Sequence, residues 1–585
     1  MRGLAGLVAI GGAREDPELL SQLRSGHSAR SKLAVLLGHD GRAPRIAADI
    51  RLDEPQELRS ALGLSAGMGE EALALAAYEH WGISFVDRLF GDFALAIVDP
   101  RSSRLLLVRD HLGTRPLAFA RTGSYVAFGS DPAAIAQLDR VDGEVDEFAM
   151  LAAILDSTQA IRTPFRGIHR VRAGHLVEVD LDNGTARSRR WWSPDPTTLH
   201  LRRDAEYAER FRAVFERAVL NRLPATGPVG TDLSGGLDSS SVTAVAAHLL
   251  GGSEVVAVGT DFSDPRWNGG SRDEGAFRRE VAHKAQVSLI ELPAGDAIGP
   301  GSADSMIRTQ GGPYAGLLLQ MAAARYRAVA GSGANVVLDG YDGDTSVNFG
   351  FQRLIRLAAT GRWVTLHREL AGLARHSGAA YRVAFYEGMW LGAVDWLRWV
   401  VGNPLKTGVA NRDLLERSGL GSALRTERPP LPGSPVREAI FKLQGGWLGT
   451  GFETWDRVGM AAGVEVRHPF ADRRLVEFCL RLPPEQHMQR GWTRWVARQA
   501  LTDLLPPDIT WRTRKGSLPP DYVIAYAASF PVAEVLEARG SPAWPFLDPT
   551  RFGEVCRRWS EQPSAADAFS LLSVAAVNRW LMARR

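Results

Sequence analysis

A glycine- and serine-rich loop is the segment of the chain best suited to binding phosphate. Residues 234–240, SGGLDSS, stand between an apolar run and a stretch with helical spacing. Adjacent glycines let a backbone approach an anion closely, and the first N–H groups of a helix bind phosphate oxygens. A carboxylate repels phosphate, so we interpret the aspartate as a ligand of a Mg²⁺ ion that bridges the phosphates. The predicted phosphate-binding residues are Ser234, Gly235, Gly236, Asp238 and Ser239.

A second loop, rich in aspartate and glycine, follows another apolar run at residues 338–344, LDGYDGD. If both runs are parallel strands, both loops lie at the same edge of the sheet, and Asp344 becomes a second Mg²⁺ ligand beside Asp238. The alternatives are an ordinary Asp/Gly turn here and a tight turn with a serine helix cap at residues 234–240. The pattern GxxxxGK(S/T) does not occur, so the first loop is not that of kinases and GTPases.

The elements around these loops alternate between strand and helix. This alternation predicts a parallel sheet with both faces covered and ligands at the carboxyl ends of its strands. A helix with apolar residues at three- and four-residue spacing precedes them, with Asp204 as its predicted cap. The predicted strands are residues 229–233, 254–260 and 336–339, and the predicted helices are residues 239–250 and 273–285.

The chain divides into two predicted domains, residues 1–200 and 201–585. The first is rich in short strands, including residues 93–98, 104–108, 125–128 and 176–179, and a polar, proline-rich linker follows at residues 193–198. In the second domain, residues 345–450 are helical in character and rich in tryptophan. They predict either a helical layer with aromatic core residues or a groove for a hydrophobic chain.

Composition excludes several classes of protein. The 69 basic and 66 acidic residues leave a net charge of +3 without a Lys/Arg block, so a nucleic-acid partner is not expected. With only Cys479 and Cys556, a zinc or disulfide framework is excluded, which fits the cytoplasm. No apolar run of 18 residues occurs, so we expect a soluble chain without a membrane partner. Leu4 to Ile10 reads as a buried first strand or, alternatively, as part of a short signal peptide.

The motifs and their order resemble the asparagine synthetase superfamily over nearly the whole length of the chain. The resemblance implies an α/β fold in two parts. The first is an Ntn-hydrolase-like αββα domain, and the second is a parallel-sheet PP-loop ATP pyrophosphatase domain with a largely helical C-terminal part. The matching segments are LFGDFA at 89–94, RDHLGTRPL at 109–117, SGGLDSS at 234–240, the pair Asp273-Glu274, GYDGD at 340–344 and GVEVRHPFAD at 463–472.

Two departures from the family predict that the first domain has no glutaminase activity. Glutamine-dependent members use a cysteine directly after the initiator Met as an N-terminal nucleophile, whereas this position is Arg2. The Asn-Gly-Glu segment that holds glutamine in the family is replaced by Asp49-Ile50, within residues 48–53. The resemblance therefore implies that the first domain is a scaffold.

Other departures concern the amide-forming step. Asparagine synthetases have glutamates where the acidic loop has Tyr341 and Thr345, and the tyrosine resembles β-lactam synthetases. In those enzymes a Tyr and Glu pair deprotonates an attacking amine, which implies Tyr341 with Glu453, fifteen residues before His468. The usual alternative for such a glutamate is a solvated helix face. The family also places a lysine after a Trp-Arg run, which implies Lys515, although Arg514 competes for that role.

Together these features predict an ATP- and Mg²⁺-dependent ligase that forms an amide and releases AMP and pyrophosphate. By its length and tryptophan-rich insertion, the chain resembles the lasso peptide cyclases. They adenylate an Asp or Glu side chain of a precursor peptide and join it to the N-terminal amine as a macrolactam. A leader-binding protein and a leader peptidase are possible partners. The alternatives are a β-lactam synthetase acting on a small amino acid, a glutamine-independent asparagine synthetase homologue, and a nucleotide-binding regulator without turnover.

Overall fold

The computed structural model describes most of the chain, and all structural statements concern these residues. They are residues 2–14, 16–26, 32–37, 43–155, 162–267, 274–298, 302–314, 316–348, 350–386, 408–426, 430, 433–513, 516, 518–529 and 540–584.

Two five-stranded sheets form the first part of the molecule. The first sheet has the order β2-β1-β7-β6-β8, and the second has the order β10-β9-β5-β4-β3. Their strands are β1 (Arg2–Ala9), β2 (Lys32–Leu37), β3 (Arg45–Leu52), β4 (Gly91–Asp99), β5 (Arg104–Arg109), β6 (Ala118–Thr122), β7 (Tyr125–Gly129), β8 (His169–Arg170), β9 (His175–Asp180) and β10 (Ala186–Arg190).

The two sheets pack face to face, and helices cover their outer faces. Strand β4 shows why: Ala94 and Ala96 join the core between the sheets, while Phe93 and Leu95 join the core beneath the helices. Successive side chains of a strand point to opposite faces, so an apolar run of this kind is buried on both sides. The predicted αββα arrangement is confirmed. Its helices are α1 (Pro17–Gly26), α2 (Pro55–Leu62), α3 (Glu70–Trp81), α4 (Pro132–Ile135) and α5 (Glu147–Ile154).

A third sheet, entirely parallel, forms the centre of the second part. Its order is β13-β12-β11-β14-β15, so the chain moves outward from β11 in one direction and then returns to start β14 on the other side. The gap between β11 and β14 is therefore a topological switch point, where open α/β sheets bind ligands. The strands are β11 (Val229–Asp232), β12 (Val255–Asp261), β13 (Ser288–Pro293), β14 (Val336–Leu338) and β15 (Glu465–Arg467), and a separate pair is formed by β16 (Met488–Gln489) and β17 (Trp492–Thr493).

Helices make up most of the remaining second part, as predicted. The last one, α25 (Ala565–Met582), also packs against the first domain, where Phe165 contacts Trp580 at 5.7 Å between ring centroids. None of the described helices is long and apolar enough to cross a membrane. The helices are α6 (Asp204–Leu220), α7 (Leu237–Leu250), α8 (Gly275–Ala285), α9 (Ser302–Gln310), α10 (Leu317–Gly331), α11 (Gly343–Ser346), α12 (Gln352–Ala359), α13 (Trp363–Ser377), α14 (Tyr381–Phe385), α15 (Arg412–Arg417), α16 (Leu420–Thr426), α17 (Pro435–Gln444), α18 (Gly446–Ala462), α19 (Arg473–Leu480), α20 (Pro484–His487), α21 (Trp495–Ala500), α22 (Pro507–Thr510), α23 (Pro520–Ser529), α24 (Pro549–Glu561) and α25 (Ala565–Met582).

Two local predictions are corrected or only partly covered. The cap of α6 is Arg203, and the predicted cap Asp204 is instead the first residue of the helix. The carboxylate of Asp204 accepts a hydrogen bond from Gln486. In the tryptophan-rich segment, Trp447 packs against an apolar cluster, whereas Trp363 is 62% exposed. The other tryptophans of that segment, Trp390, Trp396 and Trp399, lie outside the described residues.

Candidate active site

A cavity of about 460 Å³ opens at the switch point of the parallel sheet. The loops after β11 and β14 form one side of it, and α10 and the chain around α21 contribute further walls. The loops that follow parallel strands lie at the same edge of the sheet, so residues about 100 positions apart in sequence meet there. Both sequence-predicted loops therefore face one cavity.

The first loop has the conformation of a phosphate-binding turn. Gly235 has a φ of 88°, which strongly favours glycine, and Gly236 caps helix α7. Serine hydroxyls fix the turn, since Ser234 Oγ lies 2.9 Å from Ser239 Oγ and accepts a hydrogen bond from Gly236 N. The first turn of a 14-residue helix thus borders the cavity, where its N–H groups and dipole favour an anion.

The second loop packs directly on the first. A β-carbon on Gly340 would lie 2.6 Å from the backbone nitrogen of Ser239, and one on Gly343 would lie 2.6 Å from the carboxyl carbon of Asp238. Any larger residue would force the loops apart, because real β-carbons do not approach so closely. Glycine at these two positions therefore brings the predicted metal ligands of the two loops together.

Asp238 and Asp344 converge on one cation, the guanidinium of Arg494. Arg494 is 5% exposed, whereas 41% of the Asp344 side chain is exposed. Among the described residues there is no group of three or more His, Cys, Asp or Glu side chains that could hold a metal. Two carboxylates that reach a single positive charge fit Mg²⁺, which proteins usually bind through one or two carboxylates together with substrate phosphates.

Arginines missed by the sequence analysis line the same cavity. Arg512 donates a hydrogen bond to the carbonyl of Gly235 at 2.8 Å and is ion-paired with Glu274. Arg498 lies four residues after Arg494, and both border the cavity with Arg512. Arg494 directly precedes α21 and Arg498 lies within it, and this four-residue spacing predicts that both side chains share one face of the helix. The positive charges of the three arginines suit a triphosphate.

Tyr341 stands on the acidic loop against an aromatic group. Its ring centroid lies 5.3 Å from that of Phe452, 5.8 Å from Trp455 and 5.9 Å from His468. Burial, with Asp342 and Asp339 nearby, raises the pKa of Tyr341 above its ordinary value, so the hydroxyl keeps its proton at neutral pH. The side chain also borders the cavity.

The structure does not bring Glu453 to Tyr341. Glu453 lies on helix α18, where its carboxylate forms ion pairs with Arg109 at 2.8 Å and with Arg170, both from the first domain. The same helix contacts Tyr341 through Phe452 and Trp455. Successive residues of a helix are rotated by about 100°, so Glu453 points away from those contacts. Its distance in sequence from His468 identified the correct helix but not the direction of the side chain. It is also not the solvated face residue of the alternative, because it is 4% exposed.

Part of the predicted site lies outside the described residues. Lys515 and its competitor Arg514 lie outside the described residues, as does Asp273. Glu274 is described, and besides Arg512 it accepts a hydrogen bond from Gly516 N at 2.7 Å. The described residues on either side of Lys515, Arg512 and Gly516, therefore lie beside the phosphate-binding loop or its neighbour Glu274.

The segment that replaces the family's glutamine-binding residues is occupied by ion pairs. Arg51, directly after Asp49-Ile50, lies 2.6 Å from Asp53 and 2.7 Å from Asp92. Arg222 of the second domain lies 3.4 Å from Asp92. Although burial opposes it, Arg51 and Arg222 hold the pKa of Asp92 well below its ordinary value, so the carboxylate stays charged.

Comparison with known proteins assigns the chain to a family. The sequence model of asparagine synthase matches residues 210–582, and that of a glutamine amidotransferase domain matches residues 64–192. Asparagine synthetase (glutamine-hydrolyzing) 3 of Bacillus subtilis (strain 168) is 25% identical over 491 residues, covering 79% of this chain and 72% of that protein.

A second relative, carboxyethyl-arginine beta-lactam-synthase of Streptomyces clavuligerus, is 28% identical over 455 residues, covering 77% of this chain and 68% of that protein. The asparagine synthase match alone spans more than half of the chain. The chain therefore belongs to the asparagine synthase family, and it is an ATP-dependent, amide-forming ligase with an amidotransferase-type first domain.

Proposed function

We propose that this ligase is a lasso peptide cyclase. It would adenylate an Asp or Glu side chain of a precursor peptide and join that side chain to the peptide's N-terminal amine. The product is a macrolactam, closed by an isopeptide bond. Ammonia from glutamine is not the amine in this proposal. A leader-binding protein and a leader peptidase would prepare the peptide, because the N-terminal amine must be free to react.

The first step uses the loops after β11 and β14. A carboxylate oxygen of the peptide attacks the α-phosphorus of ATP, the bond to the pyrophosphate oxygen breaks, and an acyl adenylate forms. Ser234, Ser239 and the first turn of α7 would bind the leaving phosphates. Asp238 and Asp344 would hold Mg²⁺, which when bound neutralises charge on the pyrophosphate. For that, Arg494 must release at least one of the two carboxylates or shift with them.

The second step forms the amide. The amine nitrogen attacks the acyl carbon, AMP leaves with the electrons of the broken C–O bond, and the nitrogen loses a proton. Tyr341 is the side chain proposed to take part in that proton transfer, and Lys515 is proposed to stabilise charge on the departing pyrophosphate and AMP. Because the hydroxyl keeps its proton in the structure described here, this role for Tyr341 requires a cation or an acceptor that arrives with the substrates.

One observation supports an amine other than ammonia: Tyr341 replaces a glutamate of asparagine synthetases on the loop that supplies Asp344. The tyrosine borders the cavity that the phosphate-binding loop and Arg494 also border. In the first domain, meanwhile, the segment that should hold glutamine is committed to ion pairs of Arg51 and Asp92. Both features favour an amine other than ammonia.

A β-lactam synthetase acting on a small amino acid is the second candidate. The relative from Streptomyces clavuligerus favours it, since that protein is named as a beta-lactam synthase. The tyrosine of the acidic loop is common to both candidates. A glutamine-independent asparagine synthetase homologue remains the third.

The test is to supply ATP and Mg²⁺ with three kinds of substrate and to measure pyrophosphate release together with product mass. The substrates are a peptide with a free N-terminus and an internal Asp or Glu, the same peptide N-acetylated, and a small β-amino acid. We expect the free peptide to release pyrophosphate and to lose the mass of one water. The acetylated peptide should be adenylated without losing water. Dehydration of the β-amino acid alone would contradict the proposal in favour of the second candidate.

A further inference from the structure

Helix α18 lies between the first domain and the acidic loop, and it contacts both through different faces. On one face, Gly449 approaches the carbonyl of Leu112, and its own carbonyl accepts a hydrogen bond from Arg109 at 3.4 Å. On the other face, a β-carbon on Gly451 would overlap the hydroxyl of Tyr341. Glycine at position 451 thus lets the helix pack closely against the acidic loop.

The contacts with the first domain are buried ion pairs. Glu453 binds Arg109 and Arg170, and one turn further Asp456 lies 3.2 Å from Arg115. All five side chains are at least nine-tenths buried. Breaking one partner of a buried pair leaves an uncompensated charge, so the cost of moving the helix away from these arginines is high.

Two of these arginines, Arg109 and Arg115, come from the segment at residues 109–117 that resembles the family's glutamine-hydrolysing half, and Arg170 comes from strand β8. Asp110 organises its turn by accepting hydrogen bonds from the backbone of Gly113 and Thr114, and Arg109 reaches the carbonyls of Arg115 and Val171. A rigid turn therefore presents the arginines to the helix. This role uses no nucleophile and no glutamine.

We infer that the first domain acts as a clamp: Arg109, Arg170 and Arg115 fix helix α18, and the helix in turn fixes Tyr341. Glu453 is then a positioning residue. A domain without glutaminase activity would be retained because it holds the wall of the synthetase cavity in place. The inference rests on the proposed part of Tyr341 in amide formation, but the clamp itself can be measured without substrate.

The experiment is hydrogen exchange by mass spectrometry on the full-length protein, which needs no substrate. In Arg170→Met, which removes one charge from the Glu453 site, we expect amides in residues 446–462 and 339–346 to exchange about tenfold faster or more, because a buried pair is broken. Exchange in strands β4 and β5 should stay unchanged. Arg170→Lys should restore part of the protection, since it keeps the charge.

Arg104→Met is the matched control, because Arg104 pairs with Glu178 at 3.4 Å within the first domain and does not touch α18 in the described contacts. It should leave exchange in both segments as in the wild type. If Arg170→Met unfolds the whole protein, Glu453→Gln, which keeps the shape of the side chain, replaces it with the same expectation. Unchanged exchange at residues 339–346 in a folded variant would overturn the clamp.

Turnover separates the clamp from the alternative that Glu453 is a base. With the free-N-terminal peptide as probe, the clamp predicts that Arg170→Met and Glu453→Gln lose the cyclic product equally, that the double variant loses no more, and that the pH profile keeps its shape. A base predicts a large loss for Glu453→Gln alone and a changed pH profile. If no substrate is turned over at all, the proposed function fails while the exchange result still decides the clamp.

Discussion

Two regions of the molecule bring aspartates and arginines together, and they do so in opposite ways. Between the domains, Asp53 is 6% exposed and Asp92 is 4% exposed. Both aspartates pair with Arg51 and with the fully buried Arg222. At the sheet edge, two carboxylates share one arginine beside an open cavity, and the side chain of Asp344 is 41% exposed.

The difference shows how the same residue types serve structure in one place and ligand binding in the other. In the buried network each charge is already neutralised by several partners, and letting a ligand in would break pairs that are costly to separate. At the cavity the two aspartates share one arginine, and solvent reaches Asp344. A cation can therefore replace that arginine with a smaller loss than in the buried network, while Arg498 and Arg512 stay available for a phosphate.

The largest effect that tests this comparison is expected at the cavity. Asp238→Asn and Asp344→Asn should each reduce pyrophosphate release by about 10³-fold or more, because a lost ligand charge removes the metal that neutralises the leaving group. Circular dichroism should show an unchanged fold. The matched control is Asp264→Asn, a partly exposed aspartate outside the cavity lining, whose described ion pair is with Arg266, two residues on. Release at the wild-type rate in either cavity variant would refute the metal assignment.

The next effect is expected at Tyr341, three positions before Asp344 on the same loop. Tyr341→Phe removes only a hydroxyl, and it should slow amide formation by about 10²- to 10⁴-fold, the usual contribution of acid–base catalysis, while exchange of labelled pyrophosphate into ATP continues. The two steps are followed by exchange and by product mass in parallel. Tyr326→Phe, another buried tyrosine of the same domain, is the control. If Tyr341→Phe loses exchange and product together, the tyrosine belongs to ATP binding instead.

The sequence was sufficient for the fold because the signals involved are local. The apolar run of β4 predicts a strand, and the strand, loop and helix around residues 234–240 predict their elements and also the sheet edge where the loops meet. Several bounds moved by one or two residues; for example, β14 ends at Leu338, and α8 begins at Gly275. The residues brought together at the switch point follow from topology, which parallel strands largely dictate.

The partners of individual charges were not predictable in the same way. Glu453 meets Arg170, 283 residues earlier, and Arg494 meets Asp238, 256 residues earlier. Neither contact leaves a periodic trace, because an ion pair between distant parts of the chain constrains only two side chains. The resemblance to β-lactam synthetases suggested a partner for Tyr341, but the direction of a helical residue depends on which side the neighbouring domain packs.

The smallest effect, no change at all, is expected where the charges are already satisfied. Wild-type protein should release no glutamate from glutamine, with or without ATP and aspartate. Arg2→Cys should also release none, because a new thiol restores only the nucleophile. The substrate segment would still carry Asp49-Ile50, and its neighbour Arg51 would still be held by Asp92 and by the carbonyl of Asn221 at 2.8 Å.

The positive control is the Bacillus subtilis relative, which is named as glutamine-hydrolyzing and should release glutamate in the same assay. Thermal unfolding of Arg2→Cys beside the wild type shows whether the variant is folded. Measurable glutaminase turnover in Arg2→Cys would mean that glutamine binds despite the buried ion pairs. The first domain would then be a site that lost only its nucleophile, and the contrast between the buried aspartates beside Arg51 and the partly exposed aspartates of the synthetase cavity would not hold.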